Sequence, residues 1–255
     1  MKVMPNTTVC VANAEAVSLE LDVDADLGEV RLLPKVGGEA VIALDGNAFD
    51  FPPLPAPNAV TVEWRASGSE DAAFKSEVEV VSRHYFEISQ LRGYGDGRDD
   101  FDQLPDETLW MARQAATEVF EEAAHRSFVA RYGRTKDYGR GELLALDHHD
   151  VREVATEGYA QASDSYLERK RGCGPFPRWV EYVYGAESVP AEVSRAVLEL
   201  AAYTLRPSNR PIGATGESTD AGYIHFTTAG RDGATAIPEV NAAIAMFGAG
   251  VRFVW

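Results

Sequence analysis

The chain has few cysteines, no long apolar run and a shortage of basic residues. Only two of its 255 residues are cysteines, Cys10 and Cys173, and their separation rules out a C-x-x-C or similar metal-binding spacing. We expect both to be free thiols. No run of about eighteen apolar residues is present, so no membrane-spanning helix is predicted. The first ten residues lack the apolar core of a secretory signal, which favours synthesis in a cytoplasm.

The charge balance is strongly acidic. There are 40 acidic and 24 basic residues, which gives a formal net charge of −16. Proteins that bind nucleic acid need clustered Lys and Arg to displace counterions from phosphates, so this balance argues against affinity for DNA or RNA. It fits a surface that does not retain nucleic acid, although solubility alone is the simpler explanation.

Familiar catalytic signatures are also missing. We find no G-x-x-x-x-G-K-[ST] phosphate loop, no H-E-x-x-H helix and no G-x-S-x-G elbow. Gly93, Gly95 and Gly97 imitate part of a dinucleotide fingerprint, but charged residues follow where a helix should begin. We interpret this segment as a linker. The sequence therefore predicts neither a common class of enzyme nor a bound cofactor.

Two clusters contain the residue types that bind metals. The first is His148-His149-Asp150, but neighbouring side chains on a strand point to opposite faces, which hinders coordination of one ion. The second lacks the alternate spacing of a calcium-binding loop and consists of Asp96, Asp99, Asp100 and Asp102. We predict no metal site and interpret the histidines as surface residues.

The N-terminal third has the pattern of β-strands. Val17, Leu19, Leu21 and Val23 alternate with polar residues, and residues 60–64 and 78–80 repeat this period of two. Residues 30–33 and 40–44 are candidates for buried strands. Residues 82–91 predict a strand that passes into a short helical turn capped by Ser89. Turn-forming residues separate the runs, which is typical of an antiparallel sandwich or small barrel.

Three later segments have the apolar periodicity of helices. The first covers residues 104–128 and its apolar stripe comprises Leu109, Ala112, Ala116, Val119, Phe120 and Ala123. The second starts after Pro190 with the stripe Val193, Ala196, Val197, Leu200, Ala201 and Thr204. The third starts at Pro238 with Val240, Ile244 and Phe247 on one side.

The sequence therefore predicts an α+β protein. An antiparallel β-sandwich or barrel occupies residues 1–92, and a glycine-rich charged linker occupies residues 93–103. Residues 104–255 are expected to form a mainly α-helical domain with β-hairpins. Its last residues are apolar and aromatic, which is unusual for a terminus and predicts a tail that docks onto something.

Several short motifs follow one another in the second half of the chain. They are Trp179-Val-Glu-Tyr-Val-Tyr-Gly185, Val189-Pro190-Ala191-Glu192-Val193, Leu205-Arg206-Pro207-Ser208, Arg210-Pro211, Ser218-Thr219-Asp220-Ala221-Gly222, Thr228-Ala229-Gly230-Arg231-Asp232-Gly233 and Ile237-Pro238-Glu239-Val240-Asn241. Their order and spacing over residues 82–247 resemble the head-to-tail adaptors of long-tailed bacteriophages, also called head–tail connector or head-completion proteins. Tyr184 stands where the family often has His, and Asn241 where Asp is common. Residues 1–81 lie outside the core of the family.

The resemblance implies a structural protein of the virion that performs no catalysis. Such adaptors are made in the host cytoplasm and form a ring at the head–tail junction, matching the twelvefold symmetry of the portal. The implied partners are the portal protein, neighbouring adaptor subunits in a dodecamer, and the next connector, stopper or tail-completion protein. Genomic DNA passes through the lumen without specific binding, and an acidic lumen would repel it.

By the same resemblance, the last helix and tail are the expected contact with the portal. The candidate residues are Ile244, Phe247, Phe253 and Trp255, because aromatic anchors fill pockets on a partner. An equally weighted alternative is that this tail covers the subunit's own core.

Two other functions compete with this one. The N-terminal β domain could be a carbohydrate- or protein-binding module, which predicts exposed aromatic residues, with Trp64 and Phe74 as candidates. An enzyme that uses His148, His149 and Asp150 is the weaker alternative.

Overall fold

The computed structural model describes residues 1–94, 101–206, 216–219, 222–225 and 234–248, with the backbone alone at 216–219 and 222–225. The chain divides into two compact units, each made of two segments. The β unit consists of Met1–His84 and Arg126–Ser188, and the helical unit consists of Tyr85–His125 and Val189–Trp255. This grouping differs from the division expected at residues 93–103, because the strands that follow the first long helix group with the N-terminal strands.

The first part of the β unit consists of two sheets. Its strands are β1 Lys2–Val3, β2 Thr8–Ala12, β3 Ser18–Leu21, β4 Glu29–Pro34, β5 Ala40–Ala43, β6 Ala48–Asp50, β7 Asn58–Arg65 and β8 Phe74–Val81. One sheet has the order β2-β8-β7-β4-β5 and the other β1-β3-β6. Two pairs, β2 with β8 and β1 with β3, are parallel, whereas the sequence predicted antiparallel pairing throughout. Strand direction depends on the path of the connecting segments, which residue alternation does not encode.

Inward-facing apolar residues form the core of this first sandwich. Leu19 and Leu21 of β3 are fully buried, as the alternation predicted. The Phe49 ring meets the Trp64 ring edge-on at 5.4 Å between centroids, so side chains from both sheets share one core. The prediction for residues 40–44 is wrong in part: β5 forms, but it is an edge strand and Val41 is 61% exposed.

Residues 126–188 form a second, smaller sandwich, which is more β-structure than the hairpins expected within a mainly helical domain. Its strands are β9 Arg131–Asp137, β10 Leu143–Ala145, β11 Val151–Val154, β12 Tyr159–Gln161, β13 Tyr166–Arg169 and β14 Arg178–Tyr184. The sheets β11-β14-β9 and β10-β13-β12 enclose a core of Leu144, Val151, Tyr159, Leu167, Val180 and Tyr182. The ends of this module are adjacent, because the amide of Ala186 donates to the carbonyl of Ser127 at 3.1 Å.

The helical unit contains α1 Ile88–Arg92, α2 Asp106–Ala124, α3 Ala191–Leu205, α4 Pro238–Phe247 and a short 3-10 helix, Phe101–Gln103. Helix α2 packs on α3 and α4, and α3 packs on α4. An antiparallel hairpin joins β15 Gly216–Thr219 to β16 Gly222–His225. None of the described helices is both long enough and apolar enough to cross a membrane.

The long helices confirm the predicted periodicity with small departures. Leu109, Ala116 and Phe120 are buried on α2, but Val119 is 43% exposed. Thr204, at the end of the predicted stripe of α3, is exposed as well. In both cases a helix neighbour covers a narrower stripe than the run of apolar residues suggests.

Residues 82–87 do not form the predicted strand. They run as bends into α1, where Tyr85 and Phe86 are buried. The N-cap of α1 is Glu87 rather than Ser89, and its amide donates to the Gln90 side-chain oxygen Oε1 at 2.7 Å in a capping box. This reciprocal pairing satisfies the backbone donors that open the helix.

A candidate docking surface on helices α3 and α4

Helix α4 is fixed at its start by a short polar turn. The Asn241 side chain accepts a hydrogen bond from the Thr235 amide at 2.8 Å and donates one to the Thr235 carbonyl at 2.9 Å. Pro238 occupies the first turn, where its missing N–H is not needed. The helix therefore begins where the sequence predicts it.

Only one narrow side of α4 is buried. Val240 and Ala243 are covered, whereas Ala242 and Ala245 are exposed. Met246 is 75% exposed, the largest fraction among the large apolar side chains of the described residues. Single apolar residues are common on protein surfaces, so the exposure of Met246 indicates a binding site only if its neighbours form one.

Met246 lines a groove between α3 and α4. The groove has a volume of about 300 Å³. Its floor is apolar and its rim is charged; the lining residues are Glu192, Arg195, Ala196 and Glu199 of α3 and Glu239, Val240, Ala242, Ala243, Met246 and Phe247 of α4. An apolar floor with a polar rim is the usual composition of a surface that accepts a side chain or helix of a partner.

The rim carries three glutamates and one arginine. Glu199 accepts a hydrogen bond from the Tyr94 hydroxyl, and Arg206 lies 3.8 Å from its other carboxylate oxygen. Burial, together with this hydrogen bond, raises the pKa of Tyr94. Tyr94 therefore stays a neutral donor, and the rim keeps an excess of negative charge that favours a basic partner.

The predicted portal-contact residues are only partly within the described chain. Ile244 and Phe247 are half-buried on α4, and Phe247 lines the groove while Ile244 does not. Phe253 and Trp255 lie outside the described residues. The prediction of these four as contact residues stays a prediction.

Sequence reasoning missed Met246 and the side of the groove that α3 provides. Glu239, Ala242 and Met246 follow one another at steps of three and four, so they form a second face of α4 beside the predicted stripe. That spacing was available in the sequence. The opposing residues of α3 lie forty or more positions away and carry no such signal.

The alternative of a carbohydrate-binding β module loses its main candidate. Trp64 is fully buried, and its indole Nε1 donates to Ser76 Oγ at 2.9 Å. Phe74 is half-buried at the start of β8. The prediction that Trp64 is exposed is therefore wrong, because this side chain faces the core between the two sheets.

The histidine cluster is divided among separate contacts. His148 stacks on the Tyr184 ring at 3.9 Å between centroids, and its Nδ1 lies 2.8 Å from the Tyr182 hydroxyl. Asp150 accepts a hydrogen bond from Arg126 Nε at 2.8 Å, and His149 is exposed. Within the described ranges, no three His, Cys, Asp or Glu residues are placed to hold a metal ion. Asp96, Asp99 and Asp100 lie outside those ranges, so the absence of a metal remains a prediction.

A buried ion pair forms the main polar cluster of the second sandwich. Asp137 is fully buried and accepts hydrogen bonds from Arg169 Nε at 2.6 Å and Nη2 at 2.7 Å, and from the Tyr159 hydroxyl at 2.8 Å. Burial alone would raise the pKa of Asp137, but these donors and the Gly139 amide outweigh it and lower the pKa to about 2. Burial, followed by the hydrogen bond to Asp137, raises the pKa of Tyr159 to about 12. Asp137 therefore stays ionised while Arg169 and Tyr159 stay protonated, which keeps the ion pair and its hydrogen bonds intact. We interpret the cluster as structural.

Comparison with known proteins finds no matching family model and no matching curated protein. Among solved structures, the chain is similar to one from the virion of a native gene transfer agent (GTA) particle, with a TM-score of 0.45, 17% identity and coverage of 67% of this chain and 92% of that chain. It is also similar to a chain from the neck of a native GTA particle computed with C12 symmetry (TM-score 0.42, 16% identity, 66% and 90% coverage). A chain from the neck of an empty GTA particle computed with C6 symmetry gives a TM-score of 0.38, 18% identity and coverage of 51% and 83%.

Proposed function

We propose that the chain is a structural virion protein, a head-to-tail adaptor that forms a ring between the portal and the tail of a phage-like particle. The order of motifs over residues 82–247 supports this proposal, as does the mainly helical unit around α2 and α3. The observation that carries it is the groove between α3 and α4, which lies in the segment where the resemblance implies portal contact. The protein performs no catalysis in this proposal, and DNA passes through the ring without specific binding.

Docking would place an apolar side chain of the portal in the groove, beside Met246 and Phe247. A methionine adapts its shape to a partner because its side chain is unbranched and polarizable. The glutamates of the rim would face basic residues of the portal and set the orientation of the contact. Truncating a central anchor of such an interface typically weakens binding by about 2 kcal/mol or more.

The test is a Met246→Glu variant, which places a charge at the mouth of the groove. Since Met246 is 75% exposed, the fold should not change, whereas docking should weaken about thirtyfold or more. Binding to DNA-filled, tail-less heads or to the isolated portal ring can be measured by co-sedimentation. Met111→Glu is the matched control, because Met111 is 67% exposed on α2 and does not line the groove.

A second arm of the same test removes residues 251–255. If the tail provides portal anchors, the truncated chain should fold normally and fail to dock. If Met246→Glu and the truncated chain both dock as well as the unaltered chain, the proposed contact is wrong. A density map that places the chain outside the head–tail junction would refute the adaptor function itself.

A further inference from the structure

Basic charge is concentrated in two segments of the second sandwich. Residues 131–141 and 169–178 contain eight of the 24 basic residues and one of the 40 acidic residues. The rest of the chain therefore carries 39 acidic and 16 basic residues. A chain with one basic region on an otherwise acidic surface has a strong charge asymmetry, which is a property of partner recognition rather than of folding.

The two segments meet at one end of the second sandwich. Arg169 Nη1 donates to the carbonyls of Arg140 at 2.6 Å and Gly141 at 2.7 Å, while its other nitrogens hold Asp137. The ring of Phe176 lies against Gly139, where an added Cβ would come within 2.6 Å of it. We call this end the basic tip; its exposed members are Lys136, Tyr138, Arg140, Lys170, Arg171, Phe176 and Trp179. Because Arg169 already holds the loop backbone through these hydrogen bonds, binding would require little further loss of conformational entropy.

The basic tip combines cations with exposed aromatic rings. Trp179 is 51% exposed, and Lys136 Nζ lies 5.8 Å from its ring centroid and 5.5 Å from that of Tyr138. Among the described residues, Lys136, Arg140, Lys170 and Arg171 have no carboxylate within salt-bridge distance. Trp, Tyr and Arg are the residues that most often dominate binding at protein–protein interfaces.

The covered part of the same sheet face indicates what the exposed part would bind. Residues 132, 134 and 136 point to one side of β9, as alternate residues of a strand do. Near the first sandwich, Arg134 lies 4.0 Å from Glu77 of β8, and Glu181 of β14 lies 4.0 Å from Lys35. Within this chain the face therefore already forms ion pairs with the first sandwich, in which Glu77 supplies the carboxylate to Arg134. Lys136, the next residue on this side of β9, faces solvent.

We propose that the basic tip of one copy contacts an acidic edge of a neighbouring copy of this chain. That edge consists of Glu20, Asp22, Asp24 and Asp26, which are all exposed and follow one another along the first sandwich. The aromatic rings favour a protein partner over DNA, and the excess acidic charge of the remaining chain repels a polyanion. Tip and edge are different surfaces, so the contact is heterologous and is of the kind that closes a ring. This contact would join neighbouring subunits of the proposed ring. It rests on the proposed adaptor function only for the number of subunits in that ring.

Zero-length carbodiimide cross-linking tests this contact, because it joins a lysine amine to a carboxylate only when the two touch. A mixture of unlabelled and ¹⁵N-labelled full-length chain should give mixed-isotope cross-links from Lys136 or Lys170 to the segment 20–26. Their yield should fall as salt rises. An Arg140→Glu/Arg171→Glu variant keeps both lysines, yet its yield should fall about fivefold or more.

The matched control is Arg83→Glu/Arg152→Glu, which changes the net charge by the same amount at exposed residues outside the tip. Its cross-linking yield should equal that of the unaltered chain. Rescue is expected when Arg140→Glu/Arg171→Glu chains are mixed with Glu20→Arg/Asp24→Arg chains, because attraction is then restored across the contact. Equal loss in the control, or the absence of mixed-isotope links between tip and edge, overturns the inference.

The DNA alternative is read from a gel-shift assay of the same variants. Duplex binding that disappears in Arg140→Glu/Arg171→Glu, without intermolecular cross-links, would overturn the inference and assign the tip to DNA. Head docking is measured separately through Met246→Glu. Absence of tip-to-edge cross-links in an unaltered chain that docks on heads refutes only the subunit contact. Cross-links in an unaltered chain that fails to dock refute only the adaptor function.

Discussion

At the scale of single residues, the second sandwich depends on a carboxylate that must stay ionised. Asp137 is fully buried against Arg169, and its pKa is lowered to about 2 from an ordinary value of 3.8. A depressed pKa means that the contribution to stability is present above about pH 4 and is lost as the pH falls towards 2. The difference between these two pKa values corresponds to about 2 kcal/mol of folding free energy.

Replacement of Asp137 by Asn should therefore destabilise the protein by about 3 kcal/mol at pH 7, because it leaves Arg169 buried without its counterion. The gap between variant and unaltered chain should narrow as the pH falls from 4 to 2. Urea unfolding at a series of pH values measures this gap. Asp164→Asn is the control, since Asp164 is exposed. A gap independent of pH would contradict the assigned role of the pair.

The sequence alone does not reveal this residue. Asp137 belongs to a polar, basic stretch, and nothing in the alternation of β9 marks it as buried. Its partner Arg169 is 32 positions away, so the pair exists only once β9 and β13 are placed in facing sheets. Trp64 is a different case, because the alternation already groups it with Val60 and Val62, which are buried as well. Only the alternative of a binding module required Trp64 to be exposed.

At the scale of elements, β9 and β14 are fitted to each other at one glycine. Gly133 stands directly opposite Tyr182 in the antiparallel register. A Cβ at position 133 would come within 2.7 Å of the Tyr182 ring and 3.0 Å of the Tyr184 ring. An aromatic ring that covers a glycine of the neighbouring strand is a known means of fixing register.

Gly133→Ala should therefore destabilise the protein by about 1 to 3 kcal/mol, because the ring of Tyr182 must move within a packed core. Gly38→Ala provides the comparison, since nothing lies within 4 Å of its added Cβ. That change should stay within about 0.5 kcal/mol of the unaltered chain. Thermal and urea unfolding measure both variants, and equal stabilities would show that the ring does not constrain position 133.

The elements that the sequence predicts best are those with a long, one-sided pattern. Helices α2 and α3 and strands β3, β7 and β8 follow their apolar periods, and Pro238 marks the start of α4. The sandwich of residues 126–188 was harder to predict, because four of its six strands have only three or four residues, and such runs carry too little periodicity to separate them from loops. The groove of α3 and α4 was out of reach, since it requires the packing of two helices that are distant in sequence.

At the scale of the whole molecule, the net charge of −16 should prevent retention of DNA. We expect the full-length chain not to retard a DNA duplex in a gel-shift assay at about 0.15 M salt. A chain in which Glu20, Asp22, Asp24 and Asp26 are replaced by lysine should retard it more at low salt, because it provides a patch that can release counterions. Retention by the unaltered chain at that ionic strength would contradict free passage of DNA through the ring.

The path of the chain through the second sandwich has a consequence for how such proteins diversify. One hydrogen bond joins Ser127 to Ala186, so the module of about sixty residues begins and ends at nearly the same point in space. A gene can therefore gain, lose or exchange this module in a single recombination event, with no adjustment to the distance between the flanking helices. Descendants of one ancestor could then share their helices while differing completely in the surface that the inserted module contributes.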